Sequence, residues 1–230
     1  MKTIGLIGGM SWESTVTYYQ TINTVIKEKL GGLHSSKCLL YSVDFQEIEE
    51  CQSTGDWEKS ADILCDIAKR LEAAGADFII ICTNTMHKVA DKVSEAISIP
   101  LLHVAEATAQ ELRDRGIKKV ALLGTKYTME QDFYKSILIE NDITVIIPDK
   151  DDRVIINDVI YNELCLGIIS EKSKLALLAI LDKLTNSGAQ GVILGCTEIG
   201  LLIQQGDTPA PLFDTALIHA KKAALFSINA

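Results

Sequence analysis

Among the side chains of this 230-residue chain that can carry a proton or attack carbon, the thiols come first: Cys38, Cys51, Cys65, Cys82, Cys165 and Cys196. None stands in C-x-x-C spacing, which suits reduced thiols better than a disulfide framework. Cys196 is singled out by its place. It follows Val192-Ile193-Leu194-Gly195 and precedes Thr197-Glu198, so it is expected where a strand ends and a helix begins. Helix amides there should lower a thiol's pKa from about 8.5 toward the range in which the reactive thiolate is available. No histidine adjoins it in sequence, unlike many activated thiols. The plainer alternative is a buried strand-end cysteine, because cysteine is among the most buried residue types.

A repeat supplies a counterpart. Gly75-Ala76-Asp77-Phe78-Ile79-Ile80-Ile81-Cys82-Thr83-Asn84-Thr85 aligns without a gap on Gly188-Ala189-Gln190-Gly191-Val192-Ile193-Leu194-Gly195-Cys196-Thr197-Glu198, 113 positions later. Lys2–Gly8 likewise matches Lys118–Gly124, and Pro100–His103 matches Pro211–Asp214. Three strands matched in one order argue for a duplicated architecture. The alignment pairs Cys196 with Thr83, while strand alternation turns Cys82 to the opposite face and into a core. Thr83 can donate a hydrogen bond but is a poor base, so a site built from these two strand ends would be asymmetric.

Other motifs say less. Gly8-Gly9-Met10-Ser11-Trp12-Glu13-Ser14 is a glycine turn that would let backbone amides approach an anion. It lacks the G-x-G-x-x-G spacing and a well-placed acidic partner, Asp44 lying only near the required position, so a tight turn with a capping serine reads equally well. His34, His87, His103 and His219 form no H-E-x-x-H motif and no cysteine–histidine cluster, so no metal site is expected and the histidines read as structural or surface residues. P-loop, G-x-S-x-G and kinase signatures are absent from the sequence.

The elements that must position these residues alternate between short β-branched runs and longer stretches of helical period, which predicts βα units around parallel sheets. Expected strands are 3–8, 37–43, 77–82, 100–103, 119–124, 143–147, 190–195 and 211–213. The first helix should begin near Ser11 or Ser14 and end at Gly31-Gly32; others fit 56–74, 86–97, 105–115, 128–140, 151–166, 171–186 and 215–228. The reading is an α/β fold of two pseudosymmetric halves: 1–104 completed by the C-terminal helix segment 215–230, and 105–214. Ligands of open α/β sheets bind beyond the carboxyl ends of the strands, so the site is expected in the cleft between the halves.

Composition bounds the partners. A net charge of −9 repels phosphate backbones and anionic membrane surfaces, so no nucleic acid and no membrane partner is expected. The N-terminal apolar run is too short for a signal core, and no run approaches the roughly 20 residues that span a bilayer, which together point to a cytoplasmic protein.

On Ile4-Gly5-Leu6-Ile7-Gly8-Gly9-Met10-Ser11-Trp12-Glu13-Ser14-Thr15, Asn84-Thr85-Met86-His87, Gly124-Thr125 and Gly195-Cys196-Thr197-Glu198, the chain resembles the aspartate/glutamate racemase family along essentially its whole length. The resemblance implies two α/β domains enclosing an amino acid, with two cysteines flanking its α-carbon and neither pyridoxal phosphate nor metal. By position, Cys196 matches the cysteine serving the L-face. Asn84, Thr85 and Thr197 match residues that bind the α-carboxylate and α-ammonium, while Met10, Gln52, Thr125 and Glu198 fall in segments that line the site. Two positions depart from the pattern. Thr83 stands where the first cysteine belongs, and Cys165 stands where some members carry a lysine that grips a side-chain carboxylate.

The implied activity is racemisation of L-glutamate or L-aspartate by Cys196-mediated α-proton abstraction with Thr83 on the opposite face. The alternatives are a broad-specificity amino-acid racemase, a weakly catalytic amino-acid-binding protein of the same fold, and a related decarboxylase or maleate isomerase. A homodimer is expected from family habit alone.

Overall fold

The computed structural model describes residues 1–229; residue 230, the end of the expected C-terminal segment, lies outside them. The strands are β1 Ile4–Gly8, β2 Cys38–Ser42, β3 Phe78–Ile81, β4 Leu101–Leu102, β5 Lys119–Gly124, β6 Thr144–Ile146, β7 Val192–Gly195 and β8 Leu212–Asp214. The helices are α1 Trp12–Leu30, α2 Phe45–Thr54, α3 Trp57–Ala73, α4 Ala90–Glu95, α5 Val104–Asp114 and α6 Lys126–Glu130. They continue with α7 Asp132–Glu140, α8 Lys150–Asn162, α9 Glu171–Asn186, α10 Ile199–Leu202 and α11 Thr215–Ile228. The chain divides into two compact units, Met1–Val104 with the residues from Ala216 onward, and Ala105–Thr215.

Each unit holds a four-stranded parallel sheet of the same topology, β2-β1-β3-β4 in the first and β6-β5-β7-β8 in the second. The central strands are buried on both faces, as parallel sheets covered by helices require. In β3 the alternation is explicit. Ile79 and Ile81 pack with Ile7, Ile48, Leu64 and Met86, while Phe78, Ile80 and Cys82 pack on the other face with Tyr18, Ile22, Ala220 and Ala224. Val192, Leu194 and Cys196 share one face in the second unit, packed with Ile156, Leu177 and Leu181.

Several helices are shorter or more broken than their periodicity suggests. The expected helix 128–140 divides into α6 and α7 at Gln131, whose backbone is extended (φ −88°, ψ 160°). The expected 86–97 becomes a 3₁₀ turn, Thr85–Val89, followed by α4. The expected 151–166 ends at Asn162, and a separate 3₁₀ turn, Leu164–Leu166, closes on Gly167 at φ 73°. Helix α2 was not anticipated. Its sequence is dominated by polar and acidic residues, yet Ile48, Cys51 and Gln52 are buried, Asp44 caps it by accepting from the Gln46 amide at 3.1 Å, and Gly55 ends it in the left-handed region.

Candidate active site

In the second unit, β5 and β7 run side by side with Gly124 opposite Gly195, so the residues that follow them, Thr125 and Cys196, emerge from neighbouring strand ends. Glycine is needed at both places. A Cβ on Gly195 would stand 2.7 Å from the Leu123 carbonyl oxygen, and one on Gly124 would stand 2.9 Å from that of Gly195. Thr125 is buried and caps α6, accepting from the Thr128 amide at 3.3 Å.

Cys196 retains 8% of its surface, and its thiol donates to Glu198 Oε2 at 2.9 Å; the Thr197 hydroxyl donates to the same oxygen at 2.8 Å. Glu198 is itself buried. Cys165 sits half-buried in the 3₁₀ turn and packs against the core cluster that contains Cys196.

This arrangement corrects the expected acidity of Cys196. Burial pushes the thiol well above its ordinary value, and the Glu198 carboxylate and Cys165 push it further in the same direction. The Glu198 backbone amide opposes them, but the helix that follows, α10, is a four-residue turn, too short to supply a developed dipole. In this geometry the thiol of Cys196 is the donor and Glu198 the acceptor of the buried bond.

In the first unit the β3 end carries Thr83, half-buried, then Asn84 and Thr85, both buried. Two side chains hold the carbonyls of this strand end: the Ser14 hydroxyl donates to Cys82 O at 3.2 Å, and His87 Nδ1 donates to Thr83 O at 2.7 Å. Met10 is buried in the same cluster as Met86, and buried Gln52 donates from Nε2 to Met86 Sδ at 3.1 Å. Cys82 is fully buried, and desolvation raises its pKa, so it is inert as a base. The glycine turn after β1 already engages one of its amides, Gly9 N donating to Thr15 Oγ1 at 2.8 Å.

The structure thus groups the named positions by unit: Thr125, Cys165, Cys196, Thr197 and Glu198 in one, Met10, Gln52, Thr83, Asn84 and Thr85 in the other. Sequence reasoning missed that His87 is bonded at both ring nitrogens, although the residue closes the Asn84-Thr85-Met86-His87 motif. Among the described residues, no group of three or more His, Cys, Asp or Glu side chains could hold a metal ion, and no helix is long and apolar enough to cross a membrane.

Residues 7–223 match the family model described as Asp/Glu/Hydantoin racemase. The chain belongs to this family of isomerases. Its members include similar proteins at both the sequence and the structure level. The broad specificity amino-acid racemase RacX of Bacillus subtilis (strain 168) is 26% identical over 225 residues, covering 95% of each chain. A crystal structure of an Asp/Glu racemase candidate from Yersinia pestis superimposes with a TM-score of 0.93 at 54% identity, covering 100% of both chains. An aspartate racemase homologue from Pyrococcus horikoshii OT3 gives a TM-score of 0.86 at 38% identity over 99% of each. The two-sheet α/β architecture is the fold of these racemase structures.

Proposed function

We propose that this chain racemises amino acids, with L-glutamate and L-aspartate as its main substrates, and that Cys196 takes the α-proton while Thr83 serves the opposite face of the α-carbon. The observation that carries this reading is the buried Cys196–Glu198 hydrogen bond. An α-proton beside a carboxylate is very weakly acidic and needs a positioned base together with donors for the developing charge. Passing the thiol proton to Glu198 is uphill against the raised thiol pKa, but it leaves the net charge of the buried pair unchanged and produces the thiolate and a neutral acid. The thiolate then takes the α-proton, and Thr83, directly or through a water, returns a proton to the other face. The Glu198 proton leaves to solvent and neutralises the base that this leaves behind.

Asn84, Thr85 and Thr197 bind the α-carboxylate and α-ammonium in this scheme, and Met10, Gln52 and Thr125 line the pocket. Cys165 replaces the cation that would grip a side-chain carboxylate, so side chains beyond glutamate and aspartate should be tolerated. The name of the RacX relative supports that breadth. Six cysteines, none of them in a disulfide, fit action in a reducing cytoplasm.

Since enantiomers have equal free energy in water, any preference for the L-forms must show as unequal kcat and KM, or as exchange without inversion. In D₂O, proton NMR should show α-exchange of the L-enantiomers faster than of the D-enantiomers, chiral chromatography should show slower inversion, and Cys196→Ala should abolish both. Equal exchange on both enantiomers, or exchange that survives Cys196→Ala, would overturn the assignment. Exchange of no amino acid, with tight binding of one, would instead make the chain an amino-acid binder.

A further inference from the structure

The second half of the Asn84-Thr85-Met86-His87 motif has no task in the proposed chemistry, yet His87 is hydrogen-bonded at both ring nitrogens. It is 2% exposed. Its Nδ1 lies 2.7 Å from Thr83 O, which can only accept, so Nδ1 carries the proton. Its Nε2 accepts from the Val104 amide at 3.2 Å. Both nitrogens are therefore engaged, and the tautomer is determined by its partners rather than by solvent. The ring also meets His103 edge-on at 4.5 Å between centroids and His219 at 5.7 Å. His219 is pinned in turn, accepting from the Tyr18 hydroxyl at 2.9 Å and donating to Leu102 O at 2.9 Å. The effect is to tie the end of β3 to the end of β4, and to anchor α1 and α11 behind both.

From this geometry we infer that His87 is a positioning residue for the reaction: its Nδ1–H holds the Thr83 carbonyl and so fixes where the Thr83 hydroxyl stands at the strand end. The inference rests on the proposed role of Thr83. The backbone at 83–85 has to turn from a strand directly into a 3₁₀ turn, and the Asn84 carbonyl is already used by the His87 amide at 3.0 Å. Without the imidazole, the Thr83 carbonyl would lose its buried donor and the peptide could rotate, carrying the hydroxyl with it. Cys196 follows a strand of the other sheet, in the other unit, and none of the anchor's bonds is made to it, so on this inference its proton step is independent of the anchor.

That separation gives a readout which loss of stability alone would not produce. For L-glutamate in D₂O, α-exchange reports the Cys196 step, and inversion also requires the Thr83 face. His87→Phe keeps a ring against His103 but removes the donor. It should lower inversion relative to exchange by about 10- to 100-fold, the scale expected when a reacting group is misplaced by about an ångström. His87→Asn, whose amide can still donate to Thr83 O, should recover most of the lost ratio. His219→Leu should lower the thermal midpoint and leave the ratio unchanged. His87→Leu carries the same readout should the Phe variant not fold.

A folded His87→Phe enzyme with an unchanged ratio, or with exchange and inversion falling together, overturns the inference. Thr83→Ala is run beside it. If Thr83→Ala leaves inversion intact, or the wild type shows no exchange at all, the Thr83 reading itself falls and takes this inference with it.

Discussion

At the scale of single residues, the proposed chemistry turns on Cys196 and Glu198, whose hydrogen bond lies in a buried space that disfavours charge. Burial, the largest influence, raises the thiol's pKa, and the Glu198 carboxylate raises it further. Glu198→Gln removes that charge while keeping the volume. The Cys196 pKa should therefore fall, and site-resolved alkylation should reach half its maximal rate at lower pH than in the wild type. Catalysis should move the other way. The amide cannot accept the thiol proton, so α-exchange should drop by about 10²- to 10⁴-fold, the range for loss of a general base. A variant whose thiol becomes more acidic while exchange is maintained would show that Glu198 only tunes Cys196 and receives no proton from it.

At the scale of elements, the second sheet depends on how closely β5 and β7 approach at Gly124 and Gly195. Gly195→Ala would place a methyl 2.7 Å from Leu123 O and 2.9 Å from Leu122 Cδ1, and the backbone contact cannot be relieved by a rotamer change. Overpacking of this kind costs about 1–3 kcal/mol, with about 2–4 °C of thermal midpoint per kcal/mol for a chain of this size. Differential scanning calorimetry should therefore show a drop of several degrees. α-Exchange should fall as well, since the strand end that presents Cys196 would be displaced. An unchanged midpoint would mean that the two strands separate there without cost.

At the scale of the whole molecule, acid sensitivity should come from the imidazoles of the first unit. Burial, the leading cause, lowers His87 well below its ordinary value and brings His103 and His219 to about 4; the nearby Asp91 only partly offsets the effect at His103. In the unfolded chain the same groups titrate near about 6.5. Between these limits the unfolded state binds more protons, so the stability these groups contribute is complete above about pH 6.5 and is lost as the pH falls toward 4. Urea midpoints should be flat from pH 8 to 7 and decline from 6.5 to 5. His219→Gln should reduce the decline, because one depressed group has been removed. A midpoint that stays constant from pH 7 to 5 would contradict this account.

Much of the plan was legible in the chain itself. Short β-branched runs ending in Thr83 and Cys196 marked the strands, and the internal repeat paired three strands of one sheet with three of the other, β1 with β5, β3 with β7 and β4 with β8. Period-two alternation also separated buried Cys82 from Thr83, because neighbouring residues of a strand must face opposite layers. The acidity of Cys196 was not legible. It is set by burial and by a carboxylate oxygen 2.9 Å away, and its sign is opposite to the one suggested by a strand-to-helix junction. Helix α2 escaped for a related reason: its few apolar residues give a weak period, and it forms because Ile48 packs with Ile7, Ile79 and Ile81 of the first sheet. His87 shows the same division. Its place in a motif is local information, but Val104 and His219, which lock and pack the ring, come from 17 and more than a hundred residues away. Local pattern specifies which elements form and which way their residues face; proton affinity and anchoring depend on neighbours that only the folded chain brings within a hydrogen bond's reach.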